Sequence, residues 1–114
     1  MQKLKPVMPS LRERKRYVAF EVLSSTRVQA DSVAKALWHS VLGLVGELGA
    51  ASMGLIVLTD LYNAKQRGIA RVSHTGVDAF KASLAFITDI EGKPATVRSL
   101  ATSGNITKAK DAIS

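Results

Sequence analysis

The chain has no cysteine among its 114 residues. Disulfide bonds and thiolate metal sites are therefore excluded, and the composition fits a reducing cytosol. The sequence also has no run of 18 apolar residues and no apolar signal-peptide segment near its start. Its longest apolar stretch with few charges, GLIVL, has only the length of a strand. We therefore expect a soluble, cytoplasmic protein without a membrane partner.

Familiar catalytic and metal-binding patterns are missing as well. The two histidines, His39 and His74, are far apart, and neither has a second ligand at the close spacing that metal sites use. Glu47 and Asp60 flank a predicted strand, which is an ordinary arrangement. There is no phosphate-binding glycine loop and no nucleophile elbow. The sequence therefore predicts no catalytic residues, no metal site and no cofactor bound by the protein.

Positive charge, in contrast, is abundant and unevenly distributed. The net charge is +7, and the pI is about 10.1. In the first 16 residues one acid, Glu13, is outnumbered by six basic side chains: Lys3, Lys5, Arg12, Arg14, Lys15 and Arg16. Residues 92–110 carry four more basic side chains and no acid. Such asymmetry is typical of a polyanion-binding protein. The alternative is a solubilising surface with a solvated arm.

Length and a hydrophobic fraction of 46% predict one globular domain with a substantial core. Residues 1–14 read as a basic arm without periodicity, and residues 15–114 as the domain. The first strand is predicted over residues 17–23, where apolar and other residues alternate. Val18, Phe20 and Val22 then lie on the face that contacts the core.

Two amphipathic helices follow from the spacing of the apolar residues. The first extends from an N-cap at Asp31 to Gly49, with Trp38 and Leu48 on its apolar face. The second covers residues 77–90. Both helices are expected to pack on the core face of the sheet.

Three further strands and a terminal helix complete the pattern. The strands are predicted over residues 54–59, 68–74 and 95–102, and a short helix begins at about residue 104, capped by Ser103 or Asn105. This order predicts an α+β protein with the ferredoxin-like (RRM-like) βαββαβ sandwich. Such a domain has a four-stranded antiparallel sheet with two helices on one face, here followed by the C-terminal helix.

The alternation leaves the other face of the sheet open. Its predicted members are Tyr17, Ala19, Glu21, Leu23, Ile69, Arg71, Thr96, Arg98 and Leu100. A face of this composition can hold a nucleic acid or a protein partner. RNA-recognition motifs stack bases on aromatic residues of their first and third strands. The third strand here has no aromatic residue, so contact of Arg and Lys with the RNA backbone is favoured.

The densest positive charge lies directly against the first strand. Because a strand fixes the direction of the residues that begin it, Lys15 and Arg16 can meet a particular phosphate geometry. A floating tail of equal charge gives only diffuse attraction. The alternative is that residues 12–16 merely deter edge-to-edge aggregation of the sheet.

Four segments of the chain resemble the archaeal ribonuclease P protein component 2 family. They are LRERKRYVAFEV, LWHSVLGLVGELGAA, RGIARV and FKASLAFITDIEGKPATVRSLATSGNI, in this order from about Leu11 to Ile106. The more specific parts are the Arg-Lys-Arg-Tyr start of the first strand, the helix from Trp38 to Gly49, and residues 98–104. Together these segments span almost the whole chain.

The resemblance implies a subunit of the ribonucleoprotein that removes the 5′ leader from precursor tRNA. The protein is non-catalytic in this picture, and the RNA subunit carries the active site and uses Mg2+. The implied partners are the ribonuclease P RNA, a protein subunit of TIM-barrel-like fold, and other ribonuclease P protein subunits. Precursor tRNA is contacted indirectly, and a homodimer within a heterotetramer is one implied arrangement.

The same resemblance assigns roles to individual side chains. RNA contact is predicted for Arg12, Arg14, Lys15, Arg16, Arg71, Arg98, Ser103, Gly104, Lys108 and Lys110. Ser103 and Gly104 begin a helix whose free N–H groups can receive a phosphate. Contact with the protein partner is predicted for Tyr17, Leu23 and Leu100.

Two other classes of function compete with this interpretation. One is a regulatory or dimerisation module that binds a small molecule on the same ferredoxin-like scaffold, and salt-insensitive ligand binding would identify it. The other is a small stand-alone nuclease in which Asp60 and Glu47 hold Mg2+. Such a nuclease would cleave RNA without any partner.

Overall fold

The computed structural model describes residues 14–114, which form an α+β fold with a curled antiparallel sheet and three helices. The strands are β1 (Lys15–Ser24), β2 (Ile56–Val57), β3 (Arg67–Ser73), β4 (Asp89–Ile90) and β5 (Lys93–Ser103). The helices are α1 (Ala30–Met53), α2 (Val77–Leu84) and α3 (Ile106–Ile113). The strand order is β2-β3-β1-β5-β4. The α+β class is confirmed, whereas the predicted count of four strands is wrong because β4 is a fifth.

The central strand β1 divides the molecule into two layers. Val18, Phe20 and Val22 are buried on one face, in a cluster that includes Leu37 of α1 and Phe80 of α2. Both phenylalanines are fully buried. Because side chains alternate between the faces of a strand, the residues between these three point to the opposite face. The core face was thus predicted correctly.

Helix α1 is longer than predicted and is bent. Gln29 is its N-cap, so Asp31 lies in the first turn instead of preceding it. The backbone leaves the helical region at Gly46 (φ 74°, ψ −179°), and the helix then continues past Gly49 to a left-handed cap at Gly54. At the bend a Cβ atom on Gly49 would lie 2.6 Å from Cβ of Val45. Gly49 therefore allows a close approach within the helix and is not its end.

Before the bend, the buried apolar residues of α1 are Val33, Leu37 and Val41. Beyond it, Ala50 and Met53 lie in the core. Trp38 is 37% exposed and Leu48 is 89% exposed, so their predicted burial is wrong. These side chains contribute to an apolar outer surface of the helical layer.

Helix α2 ends at Leu84 and does not continue to residue 90 as predicted. Residues 89–94 form a β-hairpin instead. Asp89 of β4 pairs with Pro94 of β5, and the two connecting residues, Glu91 and Gly92, both have positive φ. Two such residues are the signature of a type I′ turn, which suits the twist of a two-strand hairpin. The predicted strand over residues 54–59 likewise shrinks to β2.

Helix α3 covers part of the sheet face that was predicted to be open. Its residues Ala109 and Ile113 form a second buried cluster with Ala19 of β1 and Ile69 of β3. The end of the helix is held by side chains that donate to its last carbonyls: Asn63 Nδ2 to Ile113 O at 2.7 Å and Arg67 Nη1 to Ser114 O at 3.2 Å. Such donors satisfy carbonyls that lack partners within the helix. The open face is therefore smaller than predicted.

Candidate nucleic-acid interface

The end of the sheet where β1 begins holds five of the ten predicted RNA-contacting residues: Arg14, Lys15, Arg16, Ser103 and Gly104. The main chain there is fixed, since the carbonyl of Arg14 accepts a hydrogen bond from the His74 N–H at 2.7 Å and Lys15 pairs with Ser73. Successive side chains of a strand point to opposite faces. Lys15 and Arg16 therefore place positive charge on both sides of this sheet end. Arg12 lies outside the described residues.

The sequence also predicted Ser103 and Gly104, and the fold brings them to the same end. The guanidinium group of Arg16 lies over Gly104, where an added Cβ would be 3.4 Å from Nη1. Nη1 also donates to the carbonyl of Lys15 at 3.0 Å. The Arg16 side chain is therefore held in place beside the end of β5.

The N-terminus of α3 differs from the predicted phosphate site. The helix begins at Ile106, and the side chain of its N-cap Asn105 accepts from the Thr107 N–H at 2.8 Å. The Ser103 hydroxyl accepts from the Asn105 N–H at 2.9 Å. Two N–H groups at this terminus are thus already bonded inside the chain, which reduces its capacity to receive a phosphate. Lys108 and Lys110 are exposed on α3.

Arg71 occupies the middle of a row that crosses four strands. It lies directly opposite Tyr17 on β1 and Ile56 on β2, and Tyr17 lies opposite Ser103 on β5. Directly paired residues of an antiparallel sheet share a face. These four residues lie on the α3 side of the sheet, beside the rows that α3 buries.

Arg98 stands apart from this group, four residues further along β1 or about 13 Å at the usual rise of a strand. Its Nε and Nη2 contact Oε1 of the buried Glu21 at 2.9 and 2.7 Å. Arg67 Nε donates to Oε2 of the same carboxylate at 3.0 Å. These hydrogen bonds, from Arg67 first and Arg98 second, hold the pKa of Glu21 below its ordinary value, although burial opposes them. Arg98 thus has a structural role that the sequence did not reveal.

The lowered pKa of Glu21 predicts a pH-dependent stability. Because the folded protein holds this carboxylate ionised more strongly than the unfolded chain does, Glu21 stabilises the fold above the ordinary carboxyl pKa. That stabilisation is lost as the pH falls through the lowered folded-state value. Glu21→Gln should reduce the free energy of unfolding at pH 7 by about 1–2 kcal/mol, and the difference should vanish in acid. Urea unfolding from pH 7 to pH 3 measures both, with exposed Glu47→Gln as the matched control. An unchanged stability of Glu21→Gln would contradict the prediction.

The residues predicted to contact a protein partner are only partly available. Tyr17 and Leu100 pack against the cluster beneath α3. Leu23, at the end of β1, is 45% exposed. Tyr17 and Leu100 are therefore partly used for packing within the chain, and Leu23 is the most accessible of the three to a partner.

The structure shows a groove that the sequence analysis did not predict. It lies on the helical layer, which is the layer that α1 and α2 form on one face of the sheet. The groove lies between α1 and residues 86–91, has a volume of about 630 Å3, and includes Leu44 and the 67% exposed Phe86. A smaller hollow of about 190 Å3 at Trp38 and Leu42 adjoins it through shared lining residues. Asp89 and Glu91 line one side of the larger groove. The groove exists because α2 ends early, at Leu84, so that residues 86–91 run beside the first half of α1.

Neither a membrane span nor a metal cluster emerges from residues 14–114. No helix in that part of the chain is long and apolar enough to cross a membrane. Within the same residues, no three His, Cys, Asp or Glu side chains come together in a group that could hold a metal ion.

Comparison with known proteins gives consistent matches along the chain. The model of the Rpp14/Pop5 family matches residues 16–114. A protein of Methanosarcina barkeri named ribonuclease P protein component 2 is 38% identical over 108 residues, which cover 95% of this chain and 78% of that protein. Proteins of the same name from Pyrococcus horikoshii and Pyrococcus furiosus are 34% and 35% identical, with 96% and 93% of this chain covered and 91% and 88% of theirs.

A solved structure supports the fold. A chain in the cryo-EM structure of yeast ribonuclease MRP superposes with a TM-score of 0.62 at 17% sequence identity. The match covers 83% of this chain and 77% of that one. At this identity the likeness concerns the fold alone.

Proposed function

The chain belongs to the Rpp14/Pop5 family, and from that premise we propose that it is a protein component of ribonuclease P. In this role it binds and supports the catalytic RNA, which removes the 5′ leader from precursor tRNA. The observation that carries the proposal is the match of nearly the whole chain to proteins named ribonuclease P protein component 2. The protein contributes binding, and the RNA, with its Mg2+, contributes the chemistry.

The basic end of the sheet is the proposed RNA-binding surface. Arg14, Lys15 and Arg16 project from a main chain that β3 holds in place, and Gly104 supports the guanidinium of Arg16. Cations on a fixed scaffold can match the spacing of phosphates, and their contacts release counterions from the RNA. Arg71 lies on the same half of the sheet. Lys108 and Lys110 extend the positive surface along α3.

The groove on the helical layer is the proposed site of a protein partner. Phe86 and Leu44 are exposed and line the same groove, and Trp38 and Leu42 line the hollow that adjoins it. A contiguous group of large exposed apolar side chains is typical of an interaction site. Asp89 and Glu91 beside them outnumber Lys35, the one lysine of the lining, and would repel RNA phosphates, so a protein suits this surface better. The occupant we propose is the subunit of TIM-barrel-like fold. Other ribonuclease P protein subunits, or a second copy of this chain within a heterotetramer, would then bind elsewhere.

Two further proposals concern the fold and the location of the protein. The strand order β2-β3-β1-β5 supports a ferredoxin-like split βαβ arrangement, with β4 as an added hairpin strand.

The named relatives are archaeal, and we propose that the protein acts in the cytoplasm, where its RNA is made.

The proposed function is tested by cleavage of precursor tRNA at low Mg2+. The cognate ribonuclease P RNA is assayed alone, with the barrel-like subunit, and with that subunit plus this chain. We expect the pair to lower the Mg2+ concentration at which cleavage is half-maximal. If the pair leaves the Mg2+ requirement unchanged, the proposal fails. The groove would then favour the small-molecule regulatory module, because its volume lies in the range of ligand sites.

A further inference from the structure

The floor of the groove on the helical layer is the straight part of α1 that precedes the bend. Its lining residues recur at spacings of three and four, as neighbours on one face of a helix do: Ser32, Ala36, Ser40 and Gly43. From Ser32 to Gly43 this face is about 17 Å long, at a rise of roughly 1.5 Å per residue. The floor is therefore long enough for about three turns of a second helix.

The side chains on this floor are small, and Gly43 leaves open space above it. A Cβ atom added to Gly43 would have no heavy atom within 4 Å, and the backbone there is helical. Glycine inside a helix is less favourable than alanine, and no contact among residues 14–114 requires it at this position. Packed helices lie roughly 8–10 Å apart, depending on the side chains between them. Gly43 thus suits the close approach of a helix from outside the chain.

The wall of the groove is apolar, and its main chain is fixed. Ile87 and Ile90 are buried in the core, and β4 is paired with β5. Phe86, in the same wall, is 67% exposed, and Leu44 is 40% exposed at the end of the floor. Apolar side chains on both sides of a groove fit the apolar face of an amphipathic helix, which is a common mode of recognition.

The charges around the groove indicate the sign of the charge that its occupant carries. Asp89 and Glu91 are exposed on the wall, and neither has a salt-bridge partner among residues 14–114. Lys35 is the one lysine of the lining, which contains no arginine. Because carboxylates beside apolar surface attract a cation more strongly than they do in bulk water, a lysine or arginine of the occupant is favoured next to the wall.

We propose that the groove binds an amphipathic α-helix of the barrel-like subunit. The helix packs along α1 over Gly43, its apolar side chains contact Phe86 and Leu44, and a lysine or arginine on its flank lies beside Asp89 and Glu91. A TIM-barrel-like fold carries its helices on the outside, so such a helix is accessible in the folded subunit. This inference rests on the proposed function and deepens it, because it names the structure and the charge of the segment that fills the groove.

The first test fills the floor of the groove without weakening the fold. Gly43→Leu places a large side chain where the helix is to lie, and it should bind the barrel-like subunit at least about tenfold more weakly. Its melting temperature should not fall, because leucine favours a helix more than glycine does. Ala51→Leu, at an exposed position of α1 beyond the bend, is the matched control and should keep wild-type affinity. Equal affinity of Gly43→Leu and the wild type overturns the helix over Gly43.

The second test determines the conformation of the occupant. The chain has no cysteine, so Thr88→Cys and His39→Cys each supply a single thiol, one on the wall and one on the α1 side of the groove. Each thiol is labelled with a benzophenone cross-linker and irradiated in complex with the subunit, and mass spectrometry identifies the cross-linked residues. We expect them in one segment of the subunit, at spacings of three and four. Spacings of two would indicate a strand, and cross-links only to a second copy of this chain would indicate a dimer. Either result overturns the proposal.

The third test measures the contribution of charge. Asp89→Asn combined with Glu91→Gln should weaken the complex about fivefold and reduce the dependence of its affinity on salt. Glu47→Gln combined with Asp60→Asn removes two charges outside the groove and should change little. If the first pair of substitutions alters neither affinity nor salt dependence, no cation of the subunit lies beside the wall.

The two proposals fail in different ways. If the chain and the subunit together lower the Mg2+ requirement of the RNA, and Gly43→Leu still binds the subunit as the wild type does, the helix is wrong and the proposed function stands. If the chain and the subunit neither associate nor support the RNA, the proposed function itself is wrong.

Discussion

Replacing Arg14, Lys15 and Arg16 together with alanine is expected to weaken RNA binding about 100-fold. Each charged contact with a phosphate is taken to contribute about 1 kcal/mol. The total of about 3 kcal/mol is roughly two powers of ten in affinity. The slope of log affinity against log salt should fall by about 2–3, because three phosphate contacts are lost. Stimulation of precursor-tRNA cleavage at low Mg2+ should disappear with the binding.

The fold should survive this triple substitution. Arg14 is tied to His74 by its carbonyl, and the pairing of Lys15 with Ser73 is likewise a main-chain interaction, so alanine preserves both. The control replaces Lys65, Lys81 and Lys93, three exposed lysines outside the basic end of the sheet, with alanine. An equal loss in the control would mean that the attraction is diffuse. If the triple variant binds RNA as tightly as the wild type, the RNA contact must be made by Arg71, Arg98 and the lysines of α3 instead.

The sequence predicts the two faces of β1 correctly because alternation is a local property. Val18 and Phe20 lie in the core, whereas Ala19 faces the other way. The amphipathic pattern alone could not indicate that α3 would cover Ala19 and Ile69. The apolar stripe of a short helix indicates which side of the helix packs. The surface on which that side packs depends on the path of the chain after β5.

The errors at the helix ends have a common cause. Apolar residues at a spacing of three, such as Leu84, Ile87 and Ile90, suit a helix and are equally buried in a turn followed by a hairpin. The pair Glu91-Gly92 adopts the positive φ values of the hairpin turn, whereas Gly92 alone reads as a helix stop. Towards the end of α1, Gly46, Gly49 and Gly54 are each candidates for the cap residue, and the burial of Ala50 and Met53 favours Gly54.

The sequence indicates which basic residues form the candidate RNA surface, but it does not indicate which residues lie next to each of them across the strands. The basic start of β1 follows from charge and alternation. The pairing of Arg98 with Glu21, and the isolation of Arg71 between Tyr17 and Ile56, depend on strand register. Register is a relation between distant segments, and a bulge between Ala19 and Phe20 shifts it along β5. A single sequence carries no signal for that shift.

Phe86→Glu is expected to weaken association with the barrel-like subunit about 30-fold or more. Phe86 is 67% exposed and lines the groove, so its replacement changes the surface and not the core. Burying an aromatic ring at the centre of an interface commonly contributes about 2 kcal/mol or more, and a buried glutamate beside Asp89 and Glu91 would add repulsion. Calorimetric titration of the subunit into the chain measures the change.

Leu48→Glu is the matched control, because it exchanges an apolar side chain for the same acid outside the groove. Leu48 is 89% exposed on the far side of the bend in α1, and it should tolerate the change with nearly wild-type affinity. RNA binding by the basic end of the sheet should be unchanged in both variants, apart from the small effect of one added negative charge. Equal affinity of Phe86→Glu and the wild type for the subunit would show that the partner does not occupy the groove. Loss in Phe86→Glu alone would assign the helical layer to protein and leave the end of the sheet to RNA.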